Sequence, residues 1–224
     1  MRNTLFPPPH PAPNLTATVD GPLWVAGGED LWALNPETGA VETEFDTGNE
    51  IASMSTDPSG SLLYTGGQGT PAGGMTVTEY NAQTGEELER SDQQDAISVG
   101  TVAATSGGVW VSYRTGMLGS SVELSANGLR LIFPPANIDP CSHTKYCDLM
   151  GVWASVSEGT VWLTNLGPNN SGTLTCADST TGAVPASEET SVAVFGPIAS
   201  GQLLYAVTLS GGVVVITPPA ACFG

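Results

Sequence analysis

Basic residues are what this sequence lacks most. Of its 224 residues, five are Lys or Arg and 22 are Asp or Glu, for a net charge of −17. So anionic a surface repels nucleic-acid phosphates and acidic membranes, which excludes nucleic acid as a partner. Long apolar runs are missing too. No stretch approaches the roughly 18 apolar residues that span a bilayer, so direct membrane insertion of this segment is excluded. Met1–Phe6 lacks the apolar core of a signal peptide. Histidine occurs only as His10 and His143, so a Ser-His-Asp triad would rest on a single loop residue. No cysteines stand at Cys-x2-Cys spacing, and the face-loop carboxylates Glu29, Asp30, Glu50 and Asp95 form no EF-hand. Gly66-Gly67-Gln68-Gly69 lacks the Lys-Ser/Thr of a phosphate-cradling loop. No catalytic set, metal or cofactor is called for.

Gly and Pro are abundant, at 28 and 17 residues, which points to turns and short strands rather than helices. One phrase recurs five times: an acidic or hydroxyl residue, a glycine, one or two further residues, an aliphatic residue, then Trp or Tyr. It places Trp24, Tyr64, Trp110, Trp162 and Tyr205 at separations of 40, 46, 52 and 43 residues. Repeats of this length, each readable as four strands, are the pattern of a propeller. The aromatic of each phrase should pack between neighbouring blades, with Trp32 and Trp153 less regular and more available. The expected fold is all-β, a β-propeller of five four-stranded blades at approximately 15–49, 50–95, 96–148, 149–190 and 191–224. A sandwich would not need five copies of one phrase, but a fragment of a larger ring is an alternative. The last unit has only three evident strands. Arg2–Phe6, leading into a stiff Pro-rich linker within residues 1–14, is expected to close the ring as its fourth.

Leu31-Trp32-Ala33-Leu34-Asn35-Pro36-Glu37-Thr38-Gly39 resembles the "ridPaTG" segment of YVTN/NHL-type and PQQ-like propeller repeats. Val161-Trp162-Leu163-Thr164-Asn165 is similar to their "vWvtn" strand. The resemblance covers most of the chain and implies the fold rather than one activity. Streptogramin lyases carry similar repeats but use histidine and acidic residues with magnesium, a set this chain does not reproduce. Sensor domains of bacterial receptor kinases are often propellers of this type, and a Pro-rich lead-in fits that arrangement by analogy.

Cys141, Cys147, Cys176 and Cys222 allow three pairings; Cys141–Cys147 as a loop clasp and Cys176–Cys222 as a long staple are preferred. Disulfides place the chain in an oxidising, extracytoplasmic compartment, secreted or at the cell surface, with an upstream anchor compatible with the Pro-rich start. The longest inter-unit link, residues 134–150, holds the clasp. With Arg114 it gathers two of the five Lys and Arg residues and one of the two His: Tyr113, Arg114, His143, Lys145 and Tyr146 form an expected basic, aromatic island for an anionic group or acidic partner loop. The functional expectation is a non-catalytic binding or sensor propeller for a protein, small molecule or glycan. Alternatives are a lyase or hydrolase working from the central channel, and a structural or adhesive surface module. The first would show a polar channel pocket with converging ionisable groups of perturbed pKa.

Overall fold

The computed structural model of the chain describes residues 14–68, 74–93, 98–115, 118–125, 129, 131–132, 152–157, 159–166, 170–208 and 210–223. They form five antiparallel sheets, each built in simple up-and-down order. The first holds β1 (Asn14–Ala17), β2 (Leu23–Gly27), β3 (Asp30–Leu34) and β4 (Val41–Asp46). The second holds β5 (Glu50–Thr56), β6 (Leu62–Gln68), β7 (Met75–Asn81) and β8 (Glu87–Gln93). The third holds β9 (Ser98–Thr105), β10 (Gly108–Thr115), β11 (Leu118–Ser125) and β12 (Leu131–Ile132). The fourth holds β13 (Val152–Ser157), β14 (Thr160–Leu166), β15 (Gly172–Asp178) and β16 (Ala186–Thr190). The fifth holds β17 (Val194–Ser200), β18 (Leu203–Thr208) and β19 (Val213–Ile216), followed by a short 3-10 turn at Ala220–Phe223.

This is an all-β propeller arrangement with four complete blades. The fifth sheet has three strands, so the expected count of five four-stranded blades is short of one strand among the described residues. Arg2–Phe6, the expected closing strand, lies outside them. No helix among the described residues is long and apolar enough to cross a membrane.

The turns follow from local chemistry. Asn35 Oδ1 accepts the amides of Glu37 and Thr38 at 3.0 and 2.9 Å, and Asn81 Oδ1 accepts those of Gln83 and Thr84 at 2.9 and 3.1 Å. Asp178 Oδ1 does the same for Thr180 and Thr181 at 3.0 and 2.6 Å. Each of these turns closes on a left-handed glycine, Gly39, Gly85 or Gly182, with φ of 69°, 74° and 70°. One device thus reverses the third strand into the fourth in blades one, two and four.

Packing is between sheets, not within one central core. Trp24, Leu31, Ile51, Leu63 and Tyr80 fill the first seam, and Tyr64, Val77, Val102 and Val109 the second. Trp110, Ala154, Val161 and Leu163 fill the third; Trp162, Cys176, Leu204 and Cys222 fill the fourth. The anchor aromatic of blades one to four faces the following sheet and is at most 1% exposed. Trp24 donates its indole N–H to the Ala82 carbonyl (2.9 Å), and Trp110 donates to Ser179 O (3.1 Å), both in the turns just described. The fifth anchor departs from expectation. Tyr205 is 41% exposed rather than packed between blades, because no sheet among the described residues covers that side.

Candidate functional site

The innermost strands β1, β5, β9, β13 and β17 enclose a central cavity of about 820 Å³. Its wall carries hydroxyls, among them Ser55, Thr56, Ser155 and Ser157, with Leu15 and Ile198 facing it from the two ends of the chain of sheets. The hydroxyls are engaged in linking blades. Ser53 and Ser55 Oγ accept the amides of Val102 and Ala104 at 2.9 and 3.1 Å. Thr101 Oγ1 accepts the Ala154 amide at 2.6 Å. Ser155 Oγ donates to the Pro197 carbonyl at 2.6 Å, and Ser157 Oγ accepts the Ala199 amide at 2.9 Å. Thr56 Oγ1 donates to the Ala17 carbonyl at 2.9 Å, and Asn14 Nδ2 to Ala52 O at 3.2 Å. Every seam between consecutive sheets is therefore laced by side chains on inner strands. The signal was present in the sequence as alternating hydroxyls, Ser53-Met54-Ser55 and Ser155-Val156-Ser157, but reading these stretches only as first strands missed it.

The described lining of this cavity carries no carboxylate, imidazole or amine. The perturbed groups lie elsewhere. Burial, together with the neighbouring Glu89 and Asp57 carboxylates, pushes the Glu79 carboxyl above its ordinary range, against a lowering hydrogen bond with the Tyr64 hydroxyl. Burial and Glu79 in turn raise the Tyr64 phenol. Asp57 is held below the usual range: burial opposes ionisation, but the Ser59 hydroxyl and the Leu62, Ser59 and Ser61 amides outweigh it. Asp178 is lowered chiefly by the Thr181 amide and hydroxyl. Asp57 and Asp178 are turn-forming acceptors, and Glu79 is a seam residue. No group of three potential metal ligands occurs among the described residues.

Of the expected island, Tyr113 and Arg114 lie near the end of β10, with Tyr113 opposite Val99 and Ser120, and Arg114 opposite Ser98 and Gly119. Arg114 is thus a strand residue. The ladder holds to Thr115 opposite Leu118, which leaves only positions 116–117 between the strands. His143, Lys145 and Tyr146 lie outside the described residues, as do Cys141 and Cys147. The second staple is present: Cys176 on β15 is bonded to Cys222 in the final turn, 46 residues on. It holds that turn over Trp162, whose ring lies 6.0 Å from Phe223, and Thr160 Oγ1 donates to the Cys222 carbonyl at 3.2 Å. In the fourth seam the stapled turn lies where the Asn and Asp turns lie in the seams of Trp24 and Trp110. Trp32 is half-buried, more exposed than the four sealed anchors, and engaged with a neighbour.

These features define a β-propeller chain. No family model matches the sequence, and no curated protein matches it. Solved structures do. BamB from Moraxella catarrhalis is similar at 15% identity and a TM-score of 0.61, over 90% of this chain and 56% of that one. Kuenenia stuttgartiensis hydrazine synthase is similar at 13% identity and a TM-score of 0.65, over 92% and 64%. The Neurospora crassa Pan2 WD40 domain is similar at 10% identity and a TM-score of 0.63, over 89% and 59%. The chain spans a little over half the length of BamB, and at these identities the likeness concerns the fold.

Proposed function

We propose that this chain is a non-catalytic binding or sensor propeller of an extracytoplasmic compartment. It recognises an anionic group or acidic partner loop through the face that carries residues 134–150. The observation that carries this reading is the fate of the central hydroxyls. Ser53, Ser55, Thr101, Ser155 and Ser157 hold the sheets to one another, so the channel wall serves assembly, and recognition falls to the variable loops. The Cys176–Cys222 bond supports an oxidising location. In this reading Tyr113, Arg114, His143, Lys145 and Tyr146 make the contacts, Cys141–Cys147 clasps the loop, and Arg2–Phe6 adds the fourth strand of a fifth blade.

The test is fluorescence anisotropy with a labelled hexaglutamate peptide. Binding should weaken at least about fivefold in an Arg114→Ala/Lys145→Ala variant and fall with rising salt. Equal binding by wild type and variant would remove the island from the site.

A further inference from the structure

All four seams are made the same way. The anchor face of one sheet packs on the opposite face of the next. That receiving face is marked by the residue just before the sheet's own anchor. These residues are Leu63, Val109, Val161 and Leu204, and each is 0% exposed. Four seams occupy four anchor faces and four receiving faces. Among the described sheets one of each is left over, at opposite ends of the row.

The leftover anchor face belongs to the fifth sheet. Ile198, Tyr205 and Val215 stand opposite one another across its three strands, and all are exposed. The leftover receiving face belongs to the first sheet. Leu23 holds there the place of Leu63, Val109, Val161 and Leu204, and it alone of the five is not buried. Val25 and Leu34 on the same face are buried, so its open part is the inner end, at Leu15, Ala17 and Leu23. Leu15 and Ile198 line the same cavity, yet they stay 64% and 65% exposed. The first sheet therefore does not receive the Tyr205 face of its own chain.

We propose that the Tyr205 face of one copy packs on the Leu15–Leu23 face of a second copy, and reciprocally, so that two arcs of five sheets close one ring. The rule of the four seams selects this occupant. An anchor face meets a receiving face, and the first sheet carries the one receiving face left open among the described sheets. The size of the gap selects a second copy to supply it. The chain spans 56% of BamB and 59% of the Pan2 WD40 domain, so its five sheets follow a little over half of such longer chains. Joining unlike faces end to end gives a ring only where the rotation closes. Two half rings related by a two-fold axis meet that condition, with the same seam formed twice.

Sedimentation velocity and cross-linking test this together. The wild-type chain should pass from monomer to a discrete dimer in roughly the micromolar range, and more readily as added salt screens the like charges. Leu15→Glu should weaken dimerisation at least about tenfold, as should Tyr205→Glu; a fifth face that paired with itself would ignore Leu15→Glu. Both positions are exposed, so far-UV circular dichroism and the unfolding midpoint of the monomer should stay unchanged. Leu15→Glu serves alone if Tyr205→Glu does not fold. Leu15→Cys chains mixed with Tyr205→Cys chains should form a covalent heterodimer on mild oxidation, above the background that the native cysteines give in the wild type. A wild type that stays monomeric to about 100 μM would overturn the proposal. So would a ladder of larger species, or Tyr205→Cys chains that link only to one another. A Leu15→Cys/Tyr205→Cys double variant that links within one chain would show the ring closing on itself, and would overturn it equally.

Discussion

Trp162 and Tyr205 hold the same place in successive copies of one phrase, and their surroundings are opposite. Trp162 is sealed by Leu204 and Cys222 in the fourth seam and touches Phe223, whereas Tyr205 is 41% exposed. The position opposite each anchor on the third strand shows the same inversion. Glu79, buried at the second seam, pairs with Tyr64, while Val215, exposed on the fifth sheet, pairs with Tyr205. The carboxylate is inside and the valine outside. Burial in this molecule is thus decided by whether a following sheet arrives, not by the residue type that the repeat supplies.

The largest expected effect separates sealed anchors from the open one. Trp110→Ala should cost about 3–5 kcal/mol, since it empties a seam and strands the Ser179 carbonyl. Tyr205→Ala should stay within about 1 kcal/mol at concentrations where the chain is monomeric. Urea unfolding of the two variants measures the contrast, and equal losses would mean that the fifth face is covered in the monomer. Next in size comes the staple. A Cys176→Ser/Cys222→Ser variant should lose about 2–4 kcal/mol. The loss should be local: hydrogen exchange should rise first in β18 and β19, which the stapled turn ties to the fourth sheet, while the first three sheets keep their protection.

The repeat and its four-strand unit were legible because turn chemistry and the aromatic anchors are local signals. Asn35-Pro36-Glu37-Thr38-Gly39 names its own turn, and the structure shows Asn35 and Gly39 doing what those residue types allow. The matching Asp178-Ser179-Thr180-Thr181-Gly182 is less legible, because an Asp in place of Asn hides the likeness although its oxygen accepts the same amides. The exposure of Tyr205 was not legible. It depends on what faces the strand across space, and the phrase Ser200-Gly201-Gln202-Leu203-Leu204-Tyr205 is as complete as the others. The lacing hydroxyls were hidden for the same reason, since Ser53 and Val102 are 49 residues apart. Of the candidate island, only the scarcity of base could be read; whether residues from different units approach one another is a property of the ring, not of any segment.

The phrase glycines extend the comparison at smaller cost. Gly60 and Gly201 both sit at positive φ, 72° and 61°. A Cβ on Gly60 would stand 2.6 Å from the Val19 amide nitrogen of the preceding sheet, whereas one on Gly201 would meet nothing within 4 Å. Gly201→Ala should therefore cost only the left-handed penalty of about 1–2 kcal/mol, and Gly60→Ala clearly more, because backbone must move. Thermal unfolding of the pair suffices, and equal shifts would show that Val19 yields freely.

The smallest effect, and the one most specific to a sealed seam, belongs to Glu79. Its folded-state pKa is raised, first by burial, and its Oε2 has no hydrogen-bond partner among the described residues. The favourable contribution of this group is therefore complete below the unfolded carboxyl value of about 4.3. It is lost as pH rises through the folded value, where the buried carboxyl must ionise. Glu79→Gln keeps an acceptor for the Tyr64 hydroxyl and cannot ionise. Its unfolding midpoint should match the wild type near pH 4 and exceed it increasingly on going to neutral pH. Val215→Glu supplies the control, since a carboxylate on the open fifth face stays solvated in the monomer and should add no such pH dependence. A Glu79→Gln difference that does not change with pH would mean that water reaches the second seam, and the contrast between sealed and open sheets would then be one of degree.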